Sequence, residues 1–270
     1  MRAMCFSTGL AFAVCVSQST CMNTHVRGQN LTYSIANHIG IAIVTGVYSA
    51  DNPIPIEAEL CRQYGASRPV LREAVKMLTA KGLLGARPRR GTWVQPEDKW
   101  NLLDPDVLGW LLERKFSMAL LIEFTEIRLA VEPGAAALAA AQAGPDEKTA
   151  IRTAILRMQA ADRGEDDPLD SDIAFHVAVL RGSRNRFYAQ LSELIATALR
   201  FSIRMTNRYK GVRLASVADH KKVADAIIAG KVDQAGEAMR KLIQEAMDLI
   251  CKREAQEKRA VNRALRSERP

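Results

Sequence analysis

The chain has 270 residues, a formal net charge of +8 and a sequence that is 48% hydrophobic but only 6% aromatic. This length allows two domains, and the composition favours a helical protein with a real core. The positive charge suits a polyanionic partner such as nucleic acid, although charge alone does not establish one. None of the five cysteines forms a Cys-x-x-Cys pair, which argues against a disulfide framework or a cysteine metal site and favours a reducing compartment.

Residues 1–30 form an N-terminal extension with one early arginine and a short apolar run. This run faintly resembles a secretory signal, but it is too short and too interrupted to span a membrane as a helix. We interpret the extension as disordered, or as the product of a start codon assigned upstream of a true start at Met22. The protein is therefore expected in the cytoplasm, with no membrane partner.

Residues 31–96 carry three helical patterns. Ile35, Ile39 and Ile43 recur every fourth residue and predict a first helix. The loop "SADNPIP" precedes a short second helix, "IEAELCRQY", that ends at Gly65, and Ser67 is placed to cap a third. The third helix has an apolar stripe, which consists of Val70, Leu71, Ala74, Val75 and Leu78.

A basic face and a basic hairpin follow from this pattern. Arg68, Arg72 and Lys76 lie four residues apart, so they share the helix face opposite the apolar stripe. The segments "LLGAR" and "GTWVQ" predict two short strands around an arginine-rich tip. A charged helix face is often merely solvated, but a preceding short helix and a basic hairpin together favour a winged helix-turn-helix that binds DNA.

The rest of the chain predicts an all-helical domain. A polar, proline-marked linker over 97–106 leads into a helical pattern over 107–251, with breaks that indicate six or so helices. Residues 252–270 are highly charged and predict a frayed helix or a disordered tail. The expected fold class is mainly α: an N-terminal winged helix-turn-helix with a β-hairpin wing, followed by a C-terminal all-α bundle.

The run "ELCRQYGASRPVLREAVKMLTAKGLL", followed by "RPRRGTWV", resembles the winged-helix domain of the GntR family of bacterial transcription regulators. The family pattern is SR-x-x-V/L-REA-x-x-x-L-x-x-x-GL, followed by a wing that ends G-T/S-x-V. The resemblance, together with the residue pattern, predicts these DNA-binding residues: Ser67, Arg68, Arg72, Lys76, Arg89, Arg90, Gly91 and Thr92.

The segments "WNLLDPDVLGW" and "EIRLAVEPGAAALAA" resemble the FadR-like branch of the same family, whose helical FCD domain binds small carboxylates. Arg128 lies on an apolar helix stripe, where a guanidinium needs an anion. The anion is either an internal partner such as Glu132 or, as the resemblance implies, an effector carboxylate. Asn185, Arg204 and Thr206 are further candidates for the effector pocket.

Asp172 and His176 lie four residues apart, and His220 begins a later helix on its apolar face. This set could hold a divalent metal such as zinc, manganese or nickel, or form only a polar pocket. The resemblance implies a further histidine ligand at the position of Leu242. A three-ligand site would leave open positions for water or for effector oxygens.

The sequence thus predicts an effector-responsive, non-enzymatic transcription repressor that binds a palindromic DNA operator as a homodimer. Its effector would be a small carboxylate, for which the "LDPDVLGW" segment resembles members linked to sugar acids. Two alternatives are a metal-dependent hydrolase with a DNA-anchoring domain and an architectural DNA-binding protein without a ligand. Absence of an evident base or nucleophile beside the metal candidates disfavours the first, and the buried Arg128 disfavours the second.

Overall fold

The computed structural model describes residues 31–87, 91–114, 117–210 and 216–267. Its N-terminal part consists of three helices and a hairpin: α1 (Leu31–Val44), α2 (Glu57–Tyr64), α3 (Arg68–Ala80), β1 (Leu84–Arg87) and β2 (Gly91–Val94). The two strands pair antiparallel, with Leu84 opposite Val94. This arrangement confirms the predicted winged helix-turn-helix.

The turn between α2 and α3 depends on a left-handed residue. Gly65 ends α2 with φ +59°, a conformation that glycine adopts without a Cβ clash. Ser67 occupies the N-cap position of α3 as predicted, but its side chain makes no capping hydrogen bond. Within α3, Leu71, Ala74 and Leu78 are buried in the N-terminal core, so the opposite face of the helix is directed to solvent.

The C-terminal part of the described chain is all helical. It consists of α4 (Pro105–Arg114), α5 (Met118–Gln142), α6 (Pro145–Asp162), α7 (Pro168–Gly182), α8 (Arg186–Gln190), α9 (Ser192–Lys210), α10 (Val217–Ile228) and α11 (Val232–Ser267). The described residues therefore hold more helices than the six or so expected, because α8 is a short extra helix and α4 begins inside the predicted linker. The segment expected to be a charged tail continues α11 as far as Ser267.

The early start of α4 has a local cause. The Asp104 carboxylate accepts hydrogen bonds from the backbone N–H groups of Asp106 (3.0 Å) and Val107 (3.3 Å). An acidic N-cap followed by proline at the first helical position is a strong helix-start signal. The polar "NLLDPD" stretch thus contains the start of a helix.

Helix α4 connects the two halves of the protein. Val107, Trp110 and Leu111 are buried in the core of the winged domain, whereas Leu108 and Leu112 are buried in a core formed with α9. The Trp110 Nε1–H donates to Asn37 Oδ1 (2.6 Å), and a Cβ on Gly40 would overlap the Trp110 ring. Because opposite faces of one ten-residue helix lie in different cores, a shift of α4 must be felt by both.

The candidate site of the helical domain lies where three helices meet. Helix α5 packs against α11, α7 and α10, and α7 packs in turn against α6 and α9. Small residues such as Ala136 and Ala139 on α5 allow this close approach. Among the described residues, no helix is both long enough and apolar enough to cross a membrane.

Candidate DNA interface and metal centre

The predicted basic face is present on α3. The side chains of Arg68, Arg72 and Lys76 are 70%, 64% and 72% exposed, so all three can reach a ligand in solution. Helix α3 has the position that the second helix of a helix-turn-helix uses to enter the DNA major groove. The exposed Ser67 lies at its N-terminus.

The wing supplies a second basic element. Gly91 has φ +80° and Thr92 is paired with Ala86 in the hairpin. Arg89 and Arg90 lie outside the described residues, so their roles stay predictions. On the adjoining strand, the Arg87 guanidinium lies 6.0 Å from the centre of the Trp93 ring.

Five polar side chains from three helices form a buried cluster, which we call the buried polar centre. Its members are Arg128 and Glu132 on α5, Asp172 and His176 on α7, and His220 on α10. Each is at most 4% exposed. Burying so many ionisable groups costs free energy unless each charge is paired, so the contacts within the centre decide what it can do.

One half of the centre is an internally paired chain. Arg128 Nε donates to Glu132 Oε1 at 2.6 Å, and His176 Nδ1 lies 2.5 Å from Glu132 Oε2. Glu132 is therefore an internal anion beside Arg128, which is one of the two alternatives that the sequence left open. The hydrogen bond to Glu132 uses only Nε of the Arg128 guanidinium. The two Nη groups are therefore the candidate donors to an effector carboxylate.

The other half of the centre has two buried polar atoms without a hydrogen-bond partner. His220 Nδ1 lies 2.8 Å from the Ser216 carbonyl oxygen, so this nitrogen carries a proton and donates it to that oxygen, while Nε2 faces α7. That Nε2 lies 3.2 Å from Asp172 Oδ1, yet neither atom has a hydrogen-bond partner. A buried polar atom without a hydrogen bond costs free energy, and a cation held between these two atoms would satisfy both.

The three predicted ligands are brought together. One ligand atom each from Asp172, His176 and His220 lies within 4.8 Å of the others, and His176 Nε2 is 3.4 Å from Asp172 Oδ1. Both imidazoles also place their Nδ1 atoms against an oxygen, on Glu132 and on Ser216. Such outer contacts fix ring orientation in metal sites, so the donor set fits a divalent cation.

Charges within the centre shift its pKa values. Burial alone would raise the pKa of Glu132, but Arg128 and His176 outweigh it and hold the pKa at about 2. Burial likewise opposes ionisation of Asp172, yet His220 and His176 hold its pKa below the usual range. For His176, burial lowers the pKa, and the carboxylates of Glu132 and Asp172 overcome this and raise it. Both carboxylates are thus anionic and can face a cation.

Leu242 provides no ligand atom. It is partly buried on α11 and packs against the apolar cluster that contains Met239 and Ile243. At the position where the family pattern has a fourth ligand, the structure therefore has an aliphatic side chain packed against the core.

Asn185 and Arg204, two of the other predicted effector residues, do not join the buried polar centre. Asn185 caps α8, where its side chain accepts a hydrogen bond from the Phe187 N–H (2.9 Å). Arg204 is exposed on α9, and the Thr206 side chain lies outside the described residues. Their assignment to an effector pocket stays a prediction, and the described contacts of Asn185 point to a structural role.

The roles of two groups beside the buried polar centre, the Ser216 carbonyl and the Phe175 ring, could not be predicted from sequence alone. The Ser216 carbonyl is a backbone group with no sequence signature. Phe175, whose ring lies edge-on to both His176 and His220 (centroids 5.6 and 5.1 Å), could be identified only as an apolar core position. It fills the space beside the imidazoles and so restricts their rotation.

Comparison with known proteins adds two family models. The model described as bacterial regulatory proteins of the gntR family matches residues 31–94, and the model described as FCD domain matches residues 123–245. These ranges contain α3 with the wing and the buried polar centre, respectively.

Curated relatives are described as transcription regulators, in agreement with these two family models, and a solved structure shares the fold. The chain is 35% identical over 199 residues to the galactonate operon transcriptional repressor of Escherichia coli, covering 73% of this chain and 87% of that protein. It is 28% identical to a putative L-lactate dehydrogenase operon regulatory protein of the same organism, covering 78% and 83%. A solved structure of Lar from Listeria monocytogenes shares the fold, with TM-score 0.51, 16% identity and 84% and 99% coverage.

A winged helix-turn-helix joined to an all-helical ligand-binding domain defines a DNA-binding transcription regulator. The chain belongs to the GntR family and carries the FCD type of C-terminal domain.

Proposed function

We propose that this regulator is a repressor of genes for the breakdown of a small carboxylate, such as a sugar acid. As a homodimer in the cytoplasm, it occupies a palindromic operator and leaves it when the effector binds. The observation that carries the proposal is a pair of buried atoms, Asp172 Oδ1 and His220 Nε2, that lie 3.2 Å apart without a hydrogen-bond partner. They support a ligand site here, because a purely architectural protein would fill this position with apolar side chains. The galactonate and lactate operon regulators among its relatives support the effector class.

In this proposal a divalent cation such as zinc, manganese or nickel is held by Asp172, His176 and His220. When bound, it supplies a positive charge to which effector oxygens can coordinate. The protein's own residues do the rest: Glu132 orients His176, Ser216 orients His220, and Arg128 faces the carboxylate of the effector. The cation positions a ligand and catalyses no reaction.

Helix α4 gives the effector domain a route to the DNA-binding domain. Effector binding changes the packing of α5 and α7, and α7 contacts α9, on which α4 rests. Because Trp110 is anchored to Asn37 in the winged domain, displacement of α4 changes the position of that domain. A coupling of about 1–3 kcal/mol between the two sites would suffice for a useful response.

The DNA interface is tested by Arg72→Ala. We expect the variant to lose about 1–3 kcal/mol of specific binding, because Arg72 is exposed in the middle of α3 where a guanidinium can reach a base edge. The measurement is a gel-shift titration on the best duplex selected from a randomised DNA library. The companion variant Arg89→Ala, on the wing, should weaken all duplexes more evenly and reduce the salt dependence. Full specific affinity in the Arg72 variant would contradict the assignment of α3 as recognition helix.

The effector is tested by release of that duplex. Galactonate and L-lactate are added to the metal-loaded complex, with galactose as a control that lacks a carboxylate, and release is followed by fluorescence anisotropy. We expect at least one acid to weaken DNA binding by about 5- to 150-fold, and galactose to have no effect. Arg128→Lys should respond only at higher acid concentration, because an ammonium does not form the planar two-point contact of a guanidinium. An unchanged response in this variant would place the effector elsewhere.

A further inference from the structure

A carboxylate of α2 is paired with the basic face of α3. Glu57, the first residue of α2, accepts two hydrogen bonds from Arg72, from Nε (3.0 Å) and from Nη2 (3.2 Å). Arg68 Nε lies 3.8 Å from the same carboxylate. Glu57 therefore contacts both arginines of the proposed recognition helix, from an element that lies outside it.

The geometry of this pair leaves a defined part of Arg72 available. A guanidinium has five N–H donors in one plane, and the contact with Glu57 uses the Nε edge. The end-on edge, formed by Nη1 and Nη2, retains N–H groups that point the same way. Such an edge is suited to the O6 and N7 acceptors of guanine. The Arg72 side chain is 64% exposed, so this edge can reach DNA without breaking the ion pair.

The ion pair between Glu57 and Arg72 has a use in DNA binding that does not depend on folding stability. Exposed ion pairs contribute little to folding stability, so stability alone does not account for this pair. Holding a long side chain in one orientation, by contrast, reduces the freedom it must lose on binding. The negative charge beside the DNA also disfavours contacts that gain only from phosphate attraction.

We propose that Glu57 is a positioning residue for sequence discrimination: it holds the Arg72 guanidinium with its end-on edge toward a guanine. This inference rests on the proposed role of α3 in DNA recognition. Glu57 itself would contact no base, and its effect would pass through Arg72.

The test is Glu57→Gln, measured against the best duplex selected by the wild type and a scrambled duplex of equal length and composition. We expect the ratio of the two affinities to fall about tenfold, the worth of one bidentate base contact. Affinity for the scrambled duplex should stay equal or increase, because a negative charge has been removed. A residue with a purely structural role would instead weaken both duplexes alike.

Glu59→Gln is the matched control, since Glu59 is also acidic in the first turn of α2 and is exposed. It removes the same charge from the same helix end and should leave the ratio unchanged. In an Arg72→Ala background, Glu57→Gln should cause no further loss of discrimination. If the wild type selects a sequence and Glu57→Gln discriminates as well as the wild type does, the inference is overturned. If the wild type selects no sequence at all, the proposed DNA interface fails first.

Discussion

Replacing Glu132 with alanine should lower the free energy of unfolding by about 3–5 kcal/mol, because it leaves a buried charge without its partner. Glu132 is 1% exposed and is hydrogen-bonded to both Arg128 and His176. Without it, the Arg128 guanidinium, which is 4% exposed, faces a low-dielectric interior. The measurement is a urea titration of wild type and variant followed by circular dichroism, without added metal.

Glu126→Ala is the control for this experiment. Glu126 lies on the same helix but is exposed, so its loss should change stability by no more than about 0.5 kcal/mol. Glu132→Gln should lie between the two, because the amide retains an oxygen that can accept from Arg128 but has lost the charge. Equal stability of Glu132→Ala and Glu126→Ala would mean that solvent reaches Arg128 and that the centre is not closed.

The organisation of the fold was largely predictable because it depends on local signals. The Ile35, Ile39 and Ile43 repeat and the stripe of α3 fixed which faces are buried, and the glycine at position 65 ended α2. The bounds of the linker were less predictable. The cap of α4 requires the Asp104 side chain to fold back on its own backbone, and the two-sided burial of α4 depends on partners more than fifty residues away.

The candidate sites show the same division. The spacing of Asp172 and His176 placed them on one face, and the apolar neighbours of His220 predicted that it points inward. The contact of His176 with Glu132 could not be read from spacing, since α5 and α7 are brought together by tertiary packing. The contact of Glu57 with Arg72 was missed for this reason: the two residues lie on different helices, and an exposed acidic residue at a helix start is ordinary in any sequence.

Substitution of Asp172 by asparagine should lower the affinity for zinc, manganese or nickel by at least about 100-fold. Loss of an outer-shell partner alone typically costs about 10- to 100-fold, and Asp172 would be a direct and anionic ligand. Its Oδ1 is the atom that both imidazole Nε2 atoms approach, at 3.4 and 3.2 Å. The measurement is calorimetric titration of each metal into chelator-treated protein. Asp170→Asn is the matched control, because Asp170 is exposed on the same helix and pairs with Arg200.

Removing the metal should leave the domain folded. The helices that carry the ligands pack through fully buried apolar side chains such as Phe175, Val223 and Ile227, and these contacts do not depend on a cation. Chelation should therefore lower the free energy of unfolding by the linkage term alone, which is about 2.7 kcal/mol when free metal is 100 times its dissociation constant, and the melting temperature should fall accordingly. Leu242→His should raise the affinity if its imidazole reaches the same point, as the family pattern implies, at a cost in core packing.

If the wild type takes up none of the three metals at micromolar concentration, and Asp172→Asn binds as little, the proposed cation is wrong. Asp172, His176 and His220 would then bind the effector directly by hydrogen bonds.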